Sequence, residues 1–315
     1  MRFSWLLESR LKSLPQGRVP RVVAKAALLL LMLLLGGCEA TLFAGLNATD
    51  QRHDIEQQKH IEFDPQHHLA LDIYRPAHAT HAPIVVFFYG GSWIRGERAW
   101  YRFVGTALSA RGVTVVIPDY RKYPQVQMDG FMDDAARAVA WTRDHAAELD
   151  GSTDDIFIMG HSAGGQIAGL LATDAHWLAP YAMQPRQLAG FIGLAGCYDF
   201  MPIPADEKDM LGMFGRTPEQ QARAQPVRFV DGDEPPMLLL HGTADKEVEP
   251  ANSQSLADAV HRLHGDVTLR FYPGVKHSEL LFALSRPFRG SANTLNDILA
   301  FVEKYSDKQT SFRQP

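Results

Sequence analysis

The sequence has 315 residues, of which 46% are hydrophobic and 21% are charged. These proportions are typical of a globular protein and exclude a disordered or fibrous chain. Residues 38–315 carry 25 basic and 35 acidic side chains, a net charge of −10. A domain this acidic lacks the basic face that nucleic acids require, so no nucleic-acid partner is expected. No segment repeats at a fixed period, which excludes a solenoid or a propeller.

The first 37 residues have the composition of an export signal. A basic stretch precedes an apolar run at residues 26–35, and this run is shorter than the roughly 20 apolar residues of a membrane-spanning helix. The run ends in Leu35-Gly36-Gly37-Cys38, which resembles a bacterial lipobox. The resemblance implies cleavage before Cys38 and lipid attachment to Cys38, and a plain signal peptide or a short membrane anchor is the alternative. We therefore expect an exported bacterial lipoprotein, anchored in the membrane and facing the periplasm or the cell surface.

A polar segment without periodicity, residues 38–59, predicts a tether. Two antiparallel strands, Lys59–Phe63 and Leu69–Tyr74, are predicted on either side of a turn at Asp64-Pro65. From Ile84 onward the pattern changes to short, fully apolar runs, which favour strands buried on both faces. These runs are Ile84–Tyr89, Val113–Ile117, Ile156–Met159, Phe191–Leu194 and Met237–Leu240.

Segments with helical periodicity separate the apolar runs. They are Tyr101–Ala110, Asp129–Glu148, Ala163–Ala172 and Ala251–Leu263. Strands that alternate with helices predict a mostly parallel sheet with helices on both faces. We therefore predict one α/β domain over residues 60–307 and a tail at 308–315. Cys197 is the only cysteine of this domain, which excludes an intramolecular disulfide.

The alternation is interrupted at residues 198–234, where short helical fragments lie among prolines. An insertion after a strand of a parallel sheet lies above the carboxyl edge, where ligands bind. The segment is therefore predicted to be a small lid or a pocket wall. A long surface loop without a functional role is the alternative.

The segment Gly160-His161-Ser162-Ala163-Gly164-Gly165 follows an apolar strand and opens a helix. This is the strand–turn–helix context of a G-x-S-x-G nucleophile elbow. Cβ atoms at Gly160 or Gly164 would clash with the neighbouring strand and helix, so both positions need glycine. The motif predicts Ser162 as a nucleophile, with the positive end of the helix directed at a developing oxyanion. The side chain of His161 is expected to point away from the serine.

A serine nucleophile needs a base, and the elbow motif is associated with the chain order serine, acid, histidine. The pattern after Pro236 indicates a strand and a tight turn that carries Asp245, and the last predicted strand leads to a loop that carries His277. We predict that Asp245 orients the imidazole and that His277 accepts the Ser162 proton. His241 and Asp199, which also lie at strand ends, are the alternatives for the base and the acid.

A second loop, Tyr89-Gly90-Gly91-Ser92-Trp93, follows the strand Ile84–Phe88. Its glycines allow the backbone to approach a substrate closely. The N–H groups of Gly91, Ser92 and Ala163 are therefore predicted to form an oxyanion hole. A glycine turn without a ligand is the alternative, and Trp93 either lines the pocket or packs in the core.

Together these motifs resemble the hormone-sensitive-lipase-like and BD-FAE-like carboxylesterases of the α/β-hydrolase fold. The resemblance covers residues 60–305, and it assigns the nucleophile, the acid and the base to Ser162, Asp245 and His277. The family's oxyanion motif begins with histidine, whereas this chain has Tyr89. The motifs that carry the resemblance are Tyr89–Trp93, Pro118–Arg121, Gly160–Gly165, His241–Asp245 and His277.

The resemblance implies a serine carboxylesterase that cleaves esters with small or moderate acyl groups, or methyl esters, through an acyl-enzyme. The chain is similar to prenylcysteine methylesterases, kynurenine formamidases and feruloyl-esterase-like enzymes, which implies no metal and no organic cofactor. An arylformamidase-like amidase and a prolyl-oligopeptidase-like peptidase are alternative enzymes. A lipid-anchored, non-catalytic binding protein on a hydrolase scaffold is the alternative outside enzymology.

Overall fold

A computed structural model describes residues 39–49, 54–78 and 81–310, with side chains as far as residue 306. The predicted signal peptide, residues 1–37, and the predicted lipidation site Cys38 lie outside the described residues, so both stay predictions. The chain divides into two units, Met1–Phe43 and Ala44–Pro315, and the second contains the sheet. Within the described ranges, no helix has both the length and the apolar composition needed to cross a membrane.

A sheet of eight described strands forms the centre of the second unit. The strands are β1 (Ile55–Asp64), β2 (Leu69–Pro76), β3 (Ile84–Phe88), β4 (Thr114–Pro118), β5 (Ile156–His161), β6 (Gly190–Leu194), β7 (Met237–Gly242) and β8 (Val267–Tyr272). They lie in the order β1-β2-β4-β3-β5-β6-β7-β8, in which β1 and β2 are antiparallel to their neighbours and β3 to β8 run parallel. Every residue of β3 to β7 is buried, as their continuous apolar sequences predict. The predicted α/β fold is confirmed.

The described helices are α1 (39–48), α2 (Arg102–Ser109), α3 (Met128–Asp144), α4 (Ala163–Thr173), α5 (Ala175–Leu178), α6 (Lys208–Phe214), α7 (Pro218–Ala222), α8 (Ala251–Arg262), α9 (His277–Phe282) and α10 (Thr294–Thr310). The bounds of α2, α4 and α8 lie within one residue of the predicted ones. Helix α3 ends earlier than the predicted Glu148. It ends at Asp144, and the C-cap residue His145 donates its backbone N–H to the carbonyl oxygen of Trp141 at 3.1 Å, while its ring Nδ1 lies 2.8 Å from the same oxygen.

The predicted tether, residues 38–59, differs from the structure at both ends of its described part. Residues 39–48 are helical, and β1 begins at Ile55, four residues before the predicted strand. The added strand residues are polar because β1 is an edge strand with most side chains exposed, and it is held by ladder hydrogen bonds to β2. No apolar alternation is needed for such pairing, so the sequence pattern does not indicate it.

The insertion at residues 198–234 is folded. It contains α6, α7 and a 3-10 turn at Pro226–Arg228, and it connects β6 to β7. Leu211, Met213 and Phe214 on α6 are buried. The insertion therefore packs onto the domain and is not a bare surface loop.

Candidate active site

Ser162 lies in the sharp turn between β5 and α4. Its backbone has φ 56° and ψ −122°, a conformation that side-chain-bearing residues rarely adopt. A Cβ atom at Gly160 would lie 2.0 Å from the carbonyl oxygen of Gly164, and one at Gly164 would lie 2.1 Å from that of Phe88. The two glycines therefore let β5, α4 and the end of β3 approach closely enough to form the predicted elbow.

The serine is the accessible point of a buried turn. Ser162 is partly exposed, whereas His161 and Ala163 on either side are buried. Its own N–H donates to the carbonyl oxygen of Leu194 on β6 at 3.0 Å, which fixes the turn against the sheet. The position suits a nucleophile because the hydroxyl can be reached by a ligand while its backbone cannot move.

Asp245 and His277 come together after β7 and β8, at the same carboxyl edge of the sheet. The Nδ1 of His277 donates to Oδ2 of Asp245 at 2.7 Å, and both residues are buried. The other carboxylate oxygen accepts the N–H groups of Glu247 at 2.9 Å and Val248 at 3.0 Å. A carboxylate with these donors fixes the imidazole tautomer and leaves Nε2 to accept a proton.

The electrostatic environment keeps Asp245 ionised. Burial raises its pKa, but hydrogen bonds from His241 and His277 and from the N–H of Val248 outweigh that effect. The pKa of this carboxyl therefore lies well below its ordinary value. An ionised partner is what an imidazole needs when it takes up a proton during catalysis.

The ring of His277 lies beside the elbow. His161, which precedes the serine, donates from Nε2 to the backbone carbonyl oxygen of His277 at 3.3 Å, and the two rings are 4.7 Å apart. Burial, followed by the proximity of His277, lowers the pKa of His161 to about 3, so this ring stays neutral. Ser162 Oγ makes no hydrogen bond to His277 in the part of the chain that is described, and such contacts commonly tighten only when substrate binds.

The two alternatives that the sequence left open have other partners. The His241 ring is fully buried, with Nδ1 2.7 Å from the Ser253 hydroxyl and Nε2 3.0 Å from the Val248 carbonyl oxygen and 3.2 Å from Oδ2 of Asp245. The carboxylate of Asp199 accepts the hydroxyl of Ser255. His241 therefore supports the acid, and Asp199 lies in a separate contact.

The loop after β3 lies directly against the nucleophile. A Cβ atom at Gly90 would be 3.1 Å from Cβ of Ser162. The three following residues all have positive φ: 128° at Gly91, 55° at Ser92 and 60° at Trp93. The N–H groups of Gly91, Ser92 and Ala163 have no acceptor among the described residues. These free donors next to a serine agree with the predicted oxyanion hole.

Comparison with known proteins agrees with this arrangement. The BD-FAE family model matches residues 71–260, which is more than half of the 315 residues and includes Ser162 and Asp245. The chain belongs to the BD-FAE family. The matched range also contains the oxyanion loop, whereas His277 lies beyond it.

Named relatives of this BD-FAE chain include plant and bacterial proteins. A probable isoprenylcysteine alpha-carbonyl methylesterase of Arabidopsis thaliana, ICMEL1, is 28% identical over 267 residues, which cover 78% of this chain and 56% of that protein. Esterase LipC of Mycobacterium tuberculosis is 27% identical over 212 residues, which cover 62% of this chain and 53% of that protein. The chain therefore spans a little over half the length of these curated relatives.

Solved structures share the fold. Esterase B from Lactobacillus Rhamnosis aligns with a TM-score of 0.72 at 20% identity and covers 91% of this chain and 98% of that one. The Est2 esterase of Thermogutta terrifontis aligns with a TM-score of 0.65 at 23% identity and covers 80% of this chain and 94% of that one. These likenesses establish the α/β-hydrolase fold of the BD-FAE chain.

A tyrosine cluster occupies the place where the family pattern has histidine. Tyr89 is fully buried and stacks on Tyr101 and Tyr120, with ring centroids 5.2 and 4.8 Å away. The Tyr120 hydroxyl donates to the carbonyl oxygen of Tyr89 at 2.8 Å, and the Tyr101 hydroxyl donates to that of Gly90 at 3.3 Å. Burial raises the pKa of Tyr120 well above its usual value, so its hydroxyl keeps the proton that it donates. The sequence indicated the departure at Tyr89 but not this support.

A possible ligand set for a metal lies in a separate cluster. Asp64, His67 and Asp134 bring one ligand atom each within 4.8 Å of one another. Arg121 donates to both oxygens of Asp134, and Nε of Arg137 lies 3.1 Å from Asp64. The two guanidinium groups supply the positive charge that these carboxylates require, so the cluster is balanced as an ion-pair network.

Proposed function

We propose that this chain is a serine carboxylesterase that acts on esters with small or moderate acyl groups, or on methyl esters. The observation that carries the proposal is the pairing of a strained, accessible Ser162 with a His277–Asp245 hydrogen bond of 2.7 Å at the same sheet edge. The names of relatives in the family, which include esterases and methylesterases, support the same reaction class. The arrangement supplies a candidate residue for each step of ester hydrolysis.

The reaction proceeds through an acyl-enzyme. Oγ of Ser162 attacks the ester carbonyl carbon while Nε2 of His277 takes its proton, and Asp245 stabilises the imidazolium. The carbonyl oxygen becomes an oxyanion that accepts the N–H groups of Gly91, Ser92 and Ala163. The intermediate then expels the alcohol, which takes the proton from His277. Water attacks the acyl-enzyme by the same route and releases the carboxylic acid.

The test is the turnover of p-nitrophenyl esters of increasing acyl length by the full chain in mild detergent. Ser162→Ala should reduce kcat by on the order of 10⁴-fold or more, because the residual rate comes from binding and the oxyanion hole alone. Ser291→Ala is the matched control, since its exposed hydroxyl bonds only to the carbonyl oxygen of Phe288 among the described groups.

Three outcomes distinguish the candidate functions. Activity that disappears in Ser162→Ala alone supports the esterase. Cleavage of an N-formyl anilide in preference to every ester would favour the arylformamidase-like alternative. A folded wild-type protein that turns over neither substrate class would favour the non-catalytic binding protein.

We also propose that the chain is exported and anchored to a bacterial membrane by a lipid on Cys38. The support is the sequence alone: a basic leader, an apolar run and Leu35-Gly36-Gly37-Cys38. In bacterial cells, Cys38→Ala should prevent both incorporation of labelled palmitate and recovery of the protein in the washed membrane fraction. Cys197→Ala is the control, and a Cys38→Ala protein that still fractionates with membranes would contradict the anchor.

A further inference from the structure

The oxyanion loop carries more backbone strain than its glycines explain. Ser92 and Trp93 both have side chains, yet their φ values are 55° and 60°. Residues with side chains are unfavourable in this region, and they persist there only where the surrounding structure holds them. Contacts from outside the loop must therefore hold it in this conformation beside Ser162.

The restraint acts on the side chain of Trp93. This residue is only 4% exposed, and its indole Nε1–H donates to Oε1 of Gln166 at 3.0 Å. The edge of Phe214 on α6 meets its ring at a centroid distance of 4.9 Å and an interplanar angle of 84°. The backbone carbonyl oxygen of Trp93 accepts the N–H of Tyr123 at 2.9 Å. The indole hydrogen bond is the one contact of these that reaches the nucleophile helix.

The hydrogen bonds of Gln166 hold that indole in one orientation. It is fully buried on α4, one helical turn after Ser162, and its Nε2 donates to the carbonyl oxygen of Ala224 in the insertion at 3.0 Å. An indole N–H can only donate and a backbone carbonyl can only accept. The two partners therefore fix which end of the amide faces each of them. One side chain links the oxyanion loop, the nucleophile helix and the insertion.

We propose that Gln166 is a positioning residue for ester hydrolysis: through the Trp93 indole it holds the strained oxyanion loop over Ser162, and through Ala224 it couples that loop to the insertion. The inference rests on the proposed function. The side chain of Gln166 accepts the indole N–H of Trp93 and donates to the carbonyl oxygen of Ala224, so it acts on the reaction through these two contacts.

The decisive variant is Gln166→Met, which keeps the volume but removes both hydrogen bonds. We expect kcat for a p-nitrophenyl ester to fall by about 10- to 100-fold with KM nearly unchanged, a smaller loss than complete removal of an oxyanion donor causes. Thr142→Val is the control. Thr142 is fully buried on α3, and its hydroxyl donates to the carbonyl oxygen of Ala138 within the same helix.

A transition-state probe separates positioning from simple loss of folded protein. A trifluoromethyl ketone forms a tetrahedral adduct with the serine, so its inhibition constant per active site reports the oxyanion hole. Active sites are counted with a fluorophosphonate. In Gln166→Met the inhibition constant should rise by the same factor by which kcat/KM falls, whereas a merely structural role would lower the titrated fraction and leave this constant unchanged.

A double-mutant cycle tests the route through the indole. Trp93→Phe removes the N–H donor and keeps an aromatic ring. If Gln166 acts through Trp93, the double variant should match Gln166→Met within about 3-fold, because residues that share one interaction are not additive. Gln166→Glu retains an oxygen to accept the indole N–H and should recover most of the wild-type inhibition constant. If Gln166→Met does not fold, the inhibition constants of Trp93→Phe and Gln166→Glu provide the test instead.

Two results would overturn the inference while leaving the esterase intact. One is a wild-type inhibition constant in Gln166→Met or, if that variant does not fold, in Trp93→Phe. The other is a double variant whose loss equals the product of the single losses. A wild-type protein that reacts with neither the fluorophosphonate nor any ester is a different failure: it would reject the proposed function itself, and this inference with it.

Discussion

Two neighbouring turns in this molecule carry positive φ angles, and they are held in different ways. The nucleophile elbow is held by backbone contacts. An added Cβ at Gly160 or Gly164 would lie about 2 Å from a carbonyl oxygen, and the Ser162 N–H donates to the carbonyl oxygen of Leu194 on β6. The oxyanion loop is held by side chains from elsewhere, among them Gln166, Phe214 and Tyr120. One turn is therefore held by close backbone packing, and the other by side-chain contacts.

The two kinds of support differ in the substitutions that they tolerate. A turn held by close backbone packing has no room for an added side-chain atom. A turn held from outside tolerates ordinary residues within it, as Ser92 and Trp93 demonstrate, but loses its geometry when a distant support is removed. Substitutions in the two regions should therefore differ in both size and kind.

The largest effect is expected at the elbow. Gly164→Ala would place a Cβ atom 2.1 Å from the carbonyl oxygen of Phe88 and 2.5 Å from that of Tyr89, and backbone atoms cannot give way as a flexible side chain can. We expect activity to be lost and the free energy of unfolding to fall by about 3 kcal/mol, the upper range for overpacking. Urea unfolding and ester turnover measure the two effects.

Gly290→Ala is the control for this elbow variant, since no heavy atom lies within 4 Å of its Cβ position. A stable and active Gly164→Ala protein would mean that the elbow is not the closely packed turn described above.

A smaller effect concerns acid sensitivity at the elbow. The pKa of His161 is lowered to about 3 by burial, and then by His277. Because this value lies below that of the unfolded chain, only the unfolded state binds a proton as the pH falls below about 6.5, and stability falls with it. Between pH 8 and pH 5 the free energy of unfolding of the wild type should fall by about 2 kcal/mol because of this histidine.

His161→Gln removes the titrating group and keeps an N–H donor for the His277 carbonyl. The variant should therefore lose about 2 kcal/mol less stability over the same pH interval. Urea midpoints of both proteins at pH 8 and pH 5 measure the difference. Parallel pH dependences would indicate that His161 is solvated or charged in the folded protein.

The smallest effect is expected at the support of the oxyanion loop. Tyr120→Phe removes the hydroxyl that donates to the Tyr89 carbonyl oxygen at 2.8 Å. Leaving that buried acceptor without its donor should cost about 1 to 2 kcal/mol of stability, and activity should fall by about tenfold because the loop shifts at the reacting centre. Unfolding and kcat are measured on the same preparations.

Tyr181→Phe serves as the control for the tyrosine support. Its hydroxyl bonds to Asp133 at 3.0 Å on a part of the domain remote from the loop in sequence, so kcat should not change. Equal losses of kcat in both tyrosine variants would remove the distinction between the loop and the rest of the domain.

Sequence patterns predicted the strands of the sheet but missed the bounds of elements that polar residues extend. The strands β3 to β7 consist of continuous apolar runs, and all of them were found. The start of β1 was missed because an edge strand takes its stability from ladder hydrogen bonds, which polar residues form equally well. The end of α3 was predicted four residues too late, because residues 145–149 form hydrogen-bonded turns, including a bond from the Leu149 N–H to the carbonyl oxygen of His145, that share the helical pattern.

The sequence by itself determined the α/β order of elements, the elbow around Ser162 and the candidates Asp245 and His277, because short-range motifs and strand ends record them directly. Only the tertiary structure decided the partners between distant segments. These contacts are the hydrogen bond between His277 and Asp245, the contacts of His161 with His277 and of His241 with Asp245, and the hydrogen bond from Trp93 to Gln166. Such contacts join residues far apart in the chain, so their geometry depends on how the layers pack and leaves no periodic signal in the sequence.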